Sequence, residues 1–191
     1  DEGFTIMFAG QLGIAQGLDT LLDAANLLKD RIPLRVVIVG DGLEKERLMN
    51  KAAQYGLGNV FFVGRFPEVD MPKLYALADA MLVHLDASAA FSMSIPSKVY
   101  GYMACGRPVL AAVSGSTAEL VTSSGCGVVC EPGNSFEMAE SIKTLYALSE
   151  RERESMGANG RTAFLKDFSI ERGVEDYEKV LLDLIAGSGF A

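Results

Sequence analysis

The sequence predicts an α/β fold, and three of its features lead to that class. Six short runs are almost entirely apolar, which is typical of parallel strands covered on both faces. The stretches between them carry apolar residues at a spacing near that of an amphipathic helix. After residue 131 the strand-like runs stop and only helical patterns follow. We therefore predict a doubly wound, Rossmann-like parallel sheet of about six strands, followed by C-terminal helices.

The predicted strands and helices alternate along the first two thirds of the chain. The strands are expected at residues 4–9, 34–40, 59–64, 80–85, 108–112 and 126–130. Helices are expected after the first five strands, at residues 17–30, 43–56, 71–80, 97–106 and 116–125. In such a sheet the ligand lies at the carboxyl ends of the strands, so we look for chemistry at the strand-to-helix turns.

The segment after residue 131 is predicted to form three helices. Two of them fall within residues 134–168, with a break expected near Gly157 and Gly160 because glycine weakens a helix. The third covers residues 169–187, and Gly187 is expected to serve as its C-cap.

The composition is that of an ordinary globular domain. With 191 residues, of which 49% are apolar and 22% charged, the chain can form one domain of good size. Its net charge of −8 argues against a nucleic-acid partner. No apolar run approaches the ~18–20 residues that span a bilayer, and the acidic N-terminus is unlike a signal peptide. We therefore expect a cytoplasmic location.

The cysteines and the single histidine do not indicate a metal centre. Cys105, Cys126 and Cys130 lack the paired spacing of a zinc site, so we interpret them as reduced thiols of the core. His84 ends the fourth apolar run, where a buried structural histidine is the simpler interpretation and a catalytic base is the alternative.

The turn after the first strand is rich in glycine. It reads AGQLGIAQGLDTLL, with glycines at positions 10, 13 and 17. Glycines there let backbone N–H groups approach a phosphate at a helix N-terminus. The spacing is not GxGxxG, so a loose connection without a ligand explains the turn equally well.

Three further turns carry residues that either a ligand or a helix terminus explains. In the second turn, residues 40–42 read Gly-Asp-Gly, and the acidic side chains there complement the helix dipole. In the third, Phe66 can face a flat ring, or the segment is a surface loop in which Asp70 caps the next helix. In the fifth, Glu119 falls in the first turn of a helix, where the dipole alone accounts for it.

The fourth turn, SIPSKVYGYMACG, contains two residues that are unfavourable for a helix. Lys98 lies in the first turn, where a positive side chain opposes the helix dipole at a cost of about 0.3–1 kcal/mol. Gly101 lies near the middle, where glycine costs about 1 kcal/mol relative to alanine. An anion bound by Lys98, the backbone around Ser97 and the helix N-terminus would explain the lysine. The alternative is that its side chain extends to water.

Taken in order, these turns resemble the C-terminal domain of the family-4 retaining glycosyltransferases, which have the GT-B fold. Matching segments run through most of the chain: FAGQLGIAQGLDTLLDAA, VVIVGDGLEKERL, NVFFVGRFPEVDMPKLYALADAMLV, PSKVYGYMACGRPVLA and GSTAELVTSSGCGVVCEPGN. No single segment is diagnostic, but five in this order make a strong match. The first turn and the PSK lysine are most similar to the fucosamine-type transferases of O-antigen and capsule synthesis.

The resemblance implies a donor site for a nucleotide-sugar, typically a UDP-sugar, with no metal and no further cofactor. Residues 10–16 would face the sugar and phosphates, residues 65–67 the base, and Ser97 with Lys98 the diphosphate. Catalytic roles would fall to Lys98 and to Glu119, which would lie beside the ribose and diphosphate. The full set of donor contacts comprises Gly10, Gln11, Gly13, Gln16, Gly40, Gly42, Arg65, Phe66, Pro67, Ser97, Lys98, Val99, Gly101 and Glu119.

The same resemblance divides the chain and points to a missing partner. Residues 1–168 would be the donor-binding domain, and residues 169–191 a helix that returns toward an N-terminal domain absent from this sequence. That domain would hold the acceptor, a saccharide or a polyprenyl-linked molecule at the inner face of the membrane. The chain is then half of an enzyme that transfers a hexose or amino-deoxyhexose in surface polysaccharide synthesis.

The sequence departs from the family at four positions. Gln11 and Gln16 occupy the places of an Arg and a Lys that neutralise the diphosphate, so Lys98 is expected to supply the lost charge. The paired glutamates fall on Met93 and Gly101, and the second normally binds the ribose. Another group, such as Glu119 or a backbone carbonyl, then holds the ribose, or binding is impaired, or glycine makes room for a bulkier donor.

Two other functions compete with the transferase. A degenerate nucleotide-binding or scaffold module without catalysis is favoured by the four departures. Half of a sugar-nucleotide 2-epimerase shares the GT-B architecture, but it is expected to place a histidine and further acidic groups in the cleft. The chain has one histidine, which disfavours the epimerase.

Overall fold

A six-stranded parallel sheet forms the centre of the protein. The computed structural model describes residues 3–86 and 92–187. The strands are β1 Phe4–Ala9, β2 Leu34–Val39, β3 Val60–Gly64, β4 Ala80–His84, β5 Val109–Ala112 and β6 Gly127–Cys130. Their order is β3-β2-β1-β4-β5-β6, with every neighbouring pair parallel. This confirms the predicted fold class, and each strand lies within one residue of its predicted bounds.

Helices connect the strands and complete the C-terminal part. They are α1 Asp19–Leu28, α2 Lys45–Gln54, α3 Met71–Tyr75, α4 Ser97–Ala104, α5 Ser116–Ser124, α6 Ser135–Ala147, α7 Glu150–Asp167 and α8 Ile170–Gly187. Helix α3 is shorter than predicted: it ends at Tyr75, and a turn leads from there to Asp79, which bonds to β1 just before β4 begins. The Asp79 N–H donates to the Thr5 carbonyl over 2.9 Å, and the Asp79 carboxylate accepts from the Thr5 N–H over 2.8 Å.

Both faces of the sheet are buried at β1, β4 and β5, as the apolar strands predicted, whereas the edge strands β3 and β6 are partly exposed. On one face Ile6, Phe8 and Ile38 pack against buried side chains of α1, α2 and α6. On the other face Met7 and Met81 pack against α4 and α5. Helices thus cover the faces of the central strands, and the carboxyl edge, where the turns leave the strands, is the part of the sheet expected to hold a ligand.

The helix break expected near Gly157 and Gly160 is wrong, because both glycines lie inside the continuous helix α7. The chain breaks earlier, at Ser149, whose hydroxyl accepts from the Glu152 N–H and caps α7. A Cβ on Gly157 would lie 2.0 Å from the Gly106 carbonyl oxygen, and one on Gly160 would lie 2.9 Å from the Cys126 Cβ. The glycines thus allow α7 to approach the domain closely.

Helix α8 extends from the domain and contributes little to its core. Ile170, Val174, Tyr177, Leu181 and Leu184 recur at alternating spacings of four and three residues, and each is more than half exposed. Gly187 is the last described residue and is still helical, so its predicted role as the C-cap stays a prediction, because residues 188–191 lie outside the described part. Across residues 3–86 and 92–187, no helix is long and apolar enough to cross a bilayer.

The helix ends at the two edges of the sheet differ in how their backbone groups are capped. At the carboxyl edge, helices α1 to α5 begin without a side-chain cap. At the amino edge, three arginines donate to carbonyls at or just after helix C-termini. Arg107 bonds to Ala78 after α3, Arg153 to Leu148 after α6, and Arg161 to Ala104 at the end of α4.

A cavity of about 290 Å³ lies between these arginines, and three carboxylates also line it. Those carboxylates and the converging helix C-termini disfavour an anion there, so helix capping is a sufficient explanation for the arginine cluster.

Candidate functional site

A cavity of about 390 Å³ opens at the carboxyl ends of β1, β2 and β3. We refer to it as the carboxyl-edge cavity. It brings together the first three strand-to-helix turns, as the fold class predicted. Its lining consists of Gly10, Gln11, Val39, Gly40, Asp41, Arg65, Phe66 and Met71. Five of these residues belong to the donor set expected from the sequence, and Val39, Asp41 and Met71 were missed.

The glycines of the first two turns allow their backbones to touch. Gly10 and Gly40 have φ angles of +151° and +137°, which side chains rarely adopt, and a Cβ on Gly40 would lie 1.8 Å from the Gly10 oxygen. A Cβ on Gly42 would lie 2.3 Å from the Leu12 oxygen. Gly42 does not line the cavity, so its position is explained by this contact between turns.

The two glutamines of the turn after β1 have different environments. Gln11 is exposed and lines the cavity. The Gln16 Oε1 instead accepts the Gly13 N–H over 3.1 Å and closes the 3-10 turn Ile14–Gln16. Gln16 and Gly13 therefore shape the turn, and neither lines the cavity.

Lys98 is a largely buried cation beside the turn that follows β1. Its Nζ lies 4.1 Å from the centroid of the Phe8 ring and would be 2.8 Å from a Cβ on Gly10. In the described part of the chain, Nζ has no hydrogen-bond or ion-pair partner. Burial without a counter-ion lowers the pKa of the Lys98 ammonium to about 8. The sequence pointed to Lys98 but gave no sign of the Phe8 contact, which depends on how α4 packs against β1.

The other residues expected around α4 are less directly placed at the cavity. Ser97 is exposed in the first turn of α4, whereas Val99 is fully buried in the core and its amide donates to the Pro96 carbonyl. Gly101 faces the Tyr75 ring, and a Cβ there would lie 3.8 Å from the ring edge. A Cβ at position 101 therefore meets no steric barrier from the described neighbours.

Pro67 and Glu119 occupy the positions that their turns predicted but do not line the cavity. Pro67 precedes the 3-10 turn Glu68–Asp70. Glu119 is exposed in the first turn of α5, and its amide donates to the Gly115 carbonyl. Asp70 begins α3 without a side-chain cap and instead pairs with Lys73 over 3.4 Å. Dipole complementation remains sufficient for Glu119.

The mouth of the cavity carries charges of both signs. A hydrogen bond from the Gly42 N–H, followed by Lys45 and more weakly by Arg65, lowers the pKa of the Asp41 carboxyl. Asp41 is therefore an anion at neutral pH, and it pairs with Lys45 over 3.6 Å. The Arg65 guanidinium lies on the same lining, so the entrance offers both a donor and an acceptor to a polar ring.

His84 and the cysteines have structural environments. His84 is fully buried, and its Nε2 accepts the Gly133 N–H over 3.2 Å. Burial lowers the pKa of His84, so the imidazole is neutral at pH 7. Cys126 and Cys130 are buried, Cys105 is partly buried, and all three are free thiols.

Comparison with known proteins identifies the family. Residues 1–163 match the family model described as glycosyl transferases group 1. The chain belongs to this family. Among the relatives of this glycosyl transferase domain is the probable glycosyltransferase WbjE of Pseudomonas aeruginosa, 25% identical over 95% of this chain and 44% of its own. The O-antigen chain mannosyltransferase C of Escherichia coli is 28% identical over 94% of this chain and 46% of its own.

The fold agrees with a solved structure of similar architecture. The crystal structure of Anabaena HepE in complex with UDP and glucose has a TM-score of 0.77 at 25% identity, covering 93% of this chain and 48% of that one. The chain thus spans about half the length of WbjE, mannosyltransferase C and HepE. This agrees with the prediction that it corresponds to one half of a GT-B protein.

Proposed function

We propose that this chain is the donor-binding half of a retaining glycosyltransferase that uses a UDP-sugar. The base occupies the carboxyl-edge cavity between the Arg65–Phe66 turn and Met71. The diphosphate lies between the first turn and the N-terminus of α4. The binding of UDP by HepE, which has the same fold in this half, supports the choice of nucleotide.

The observation that carries the proposal is the Lys98 ammonium, which has no hydrogen-bond or ion-pair partner among the described residues. Burying an ammonium without a counter-ion is unfavourable, as its pKa of about 8 reflects. The Lys98 Nζ lies over Gly10, and Lys98 itself belongs to the N-terminal turn of helix α4, which has no side-chain cap. An anion at this point would restore the usual pKa of the lysine and occupy the positive end of the helix dipole.

This arrangement suits the departure of a nucleoside diphosphate. When the bond between the anomeric carbon and the β-phosphate oxygen breaks, negative charge develops on the diphosphate. The acceptor hydroxyl oxygen forms the new bond to the anomeric carbon, and its proton passes to the departing phosphate oxygen. Lys98 and the start of α4 stabilise that charge. We propose that transfer requires no metal because these groups supply the positive charge. Glu119, in the first turn of α5, is proposed to face the ribose and diphosphate from the other side.

The sugar and the acceptor are proposed from the relatives. An O-antigen mannosyltransferase among them supports a role in surface polysaccharide synthesis. We propose transfer of a hexose or amino-deoxyhexose to a saccharide or polyprenyl-linked acceptor at the cytoplasmic face of the membrane. Assignment to the fucosamine-type branch rests on the first turn and on the PSK motif at residues 96–98.

The exposed stripe on α8 supports the proposed missing domain. A helix with a continuous apolar stripe is expected to bury it against another surface. We propose that residues 169–191 pack against an N-terminal half that carries the acceptor site. Relatives about twice as long as this chain support that arrangement.

The proposal is tested by titrating the 191-residue chain with UDP by isothermal calorimetry. We expect weak binding by the wild type, about tenfold weaker binding by Lys98→Met, and no change on adding EDTA. Lys73→Met is a matched control, since the Lys73 side chain is 83% exposed. Equal UDP affinity in the wild type and Lys98→Met would overturn the role of Lys98, and loss of binding in EDTA would overturn metal independence.

A non-catalytic nucleotide-binding module is the second candidate. It is favoured by the inward orientation of Gln16 and by the open space at Gly101, because neither position offers a charge to the donor. The two functions differ in one measurement. A complete protein that binds UDP but neither transfers nor hydrolyses the sugar of a UDP-sugar would be such a module.

A further inference from the structure

The Tyr102 hydroxyl closes a gap in the sheet beside the proposed donor site. The ladder between β1 and β4 runs from Ile6 to Phe8 and then stops. At the next residue of β1, the Ala9 N–H donates to the Tyr102 hydroxyl over 3.2 Å, and the same hydroxyl donates to the Ala9 carbonyl over 3.1 Å. The hydroxyl therefore satisfies both backbone groups where β1 and β4 separate.

The environment of Tyr102 fixes that hydroxyl in its neutral form. The side chain is fully buried, and its ring packs edge-on against Tyr75 with centroids 5.1 Å apart. Burial raises the pKa of Tyr102 far above its usual range. The hydroxyl consequently keeps its proton and can donate and accept at the same time.

Tyr102 also connects the two parts of the proposed diphosphate site. It lies four residues after Lys98, one turn along the same face of α4. Its partner Ala9 directly precedes Gly10, over which the Lys98 Nζ is placed. One hydroxyl thus fixes α4 against the residue next to the glycine turn.

We propose that Tyr102 is a positioning residue whose hydroxyl sets the distance between the Lys98 ammonium and the Gly10 turn for a bound diphosphate. The inference rests on the proposed function, since it assigns Tyr102 a task in holding the UDP diphosphate. A phenylalanine would keep the packing of the ring but would leave the Ala9 backbone without its partner. The helix could then shift relative to the first turn.

The test is a double-mutant cycle on UDP binding. Tyr102→Phe, Lys98→Met and the double variant are titrated with UDP and with uridine, which lacks the diphosphate, by NMR chemical shifts. We expect Tyr102→Phe to weaken UDP by about tenfold and uridine by less than about twofold. The double variant is expected to bind UDP no more than about twofold more weakly than Lys98→Met, because both changes disturb one interaction.

Tyr100→Phe is the matched control, since Tyr100 lies on the same helix and its ring packs against Phe168. We expect it to leave both affinities unchanged. Equal weakening of UDP and uridine by Tyr102→Phe, or full additivity with Lys98→Met, would show a merely structural role and overturn the inference. If the wild type binds no UDP, the proposed function fails. If Lys98→Met weakens UDP but Tyr102→Phe behaves like Tyr100→Phe, this inference alone fails.

If Tyr102→Phe does not fold, amide hydrogen exchange of the wild type tests the positioning role of Tyr102. In the wild type the Ala9 amide is expected to exchange as slowly as the buried amides of β1, and UDP is expected to slow it further. Exchange of Ala9 at the rate of an exposed loop, or no effect of bound UDP on it, would contradict the proposal.

Discussion

Replacing Lys98 by methionine should stabilise the free protein while it weakens UDP binding. Methionine has nearly the same length and fills the same space over the Phe8 ring without a charge. The wild-type ammonium is buried with no counter-ion among the described residues, so the folded state holds a charge that water solvates better. Stability and affinity are therefore expected to move in opposite directions.

The size of the effect follows from the pKa of Lys98. The ammonium titrates near pH 8 instead of its ordinary 10.5, and at about 1.4 kcal/mol per pKa unit the difference amounts to roughly 3 kcal/mol at pH 7. The contact with the Phe8 ring returns about 0.5–2 kcal/mol. We expect Lys98→Met to raise the free energy of unfolding by about 1–3 kcal/mol at pH 7.

The pH dependence separates this effect from ordinary repacking. The folded protein binds the Lys98 proton less strongly than the unfolded chain does, so the cost is fully present below pH 8. It fades as the pH rises from about 8 toward 10.5, and the gain from the substitution should fall below about 1 kcal/mol at pH 10. Urea denaturation at pH 7 and pH 10 measures both values.

Lys73→Met provides the control, because the Lys73 side chain is 83% exposed and should give no pH-dependent gain. A Lys98→Met protein that is less stable than the wild type at pH 7 would refute the reasoning. So would one that shows the same gain at pH 7 and pH 10.

Three further substitutions test other parts of the structure. Gly101→Glu should bind UDP more tightly and still fold, since the nearest side-chain atom lies 3.8 Å from the added Cβ. Calorimetry measures the affinity, and no gain would indicate a rearranged ribose site. Gly157→Ala should lower the free energy of unfolding by about 1–3 kcal/mol, because its Cβ would meet the Gly106 carbonyl. Urea denaturation measures the change, and an unchanged unfolding midpoint would contradict that close contact. His84→Gln should flatten the loss of stability between pH 6.5 and pH 5. Because the pKa of His84 is lowered in the folded state, the unfolded chain takes up this proton first as the pH falls, which destabilises the fold. Parallel profiles of unfolding free energy against pH for the wild type and His84→Gln would contradict this role of His84.

Much of the fold could be predicted because it follows from local patterns. The strands are predominantly apolar because most of them are covered on both faces, and their predicted bounds agree with the structure within one residue. Gly157 was misjudged because glycine in a helix looks like a break when the neighbouring turn at Gly106 is not known. The length of α3 was overestimated because the Asp79–Thr5 bonds that draw the chain into the sheet are long-range.

The candidate site was predictable only in outline. The rule that ligands lie at the carboxyl edge located the turns, and the unfavourable position of Lys98 singled out one side chain. The contact of Lys98 with Phe8 and the hydrogen bonds of Tyr102 depend on the packing of α4 against β1. The helical spacing of Lys98 and Tyr102 was the one signal that could have linked them. The inward hydrogen bond of Gln16 had no signature in the sequence.

The arginines at the amino edge have a consequence for how the domain can diversify. Arg107, Arg153 and Arg161 fasten the helix ends on the side of the sheet opposite to the carboxyl-edge cavity. The framework is thus secured by residues that take no part in recognition. Exposed turn residues on the opposite rim, such as Gln11 and Phe66, can therefore be exchanged while the scaffold stays folded, in contrast to the glycines beside them. Such a division of tasks lets a single architecture change the ligand that it recognises through substitutions that would be too destabilising if the same residues also held the helix ends.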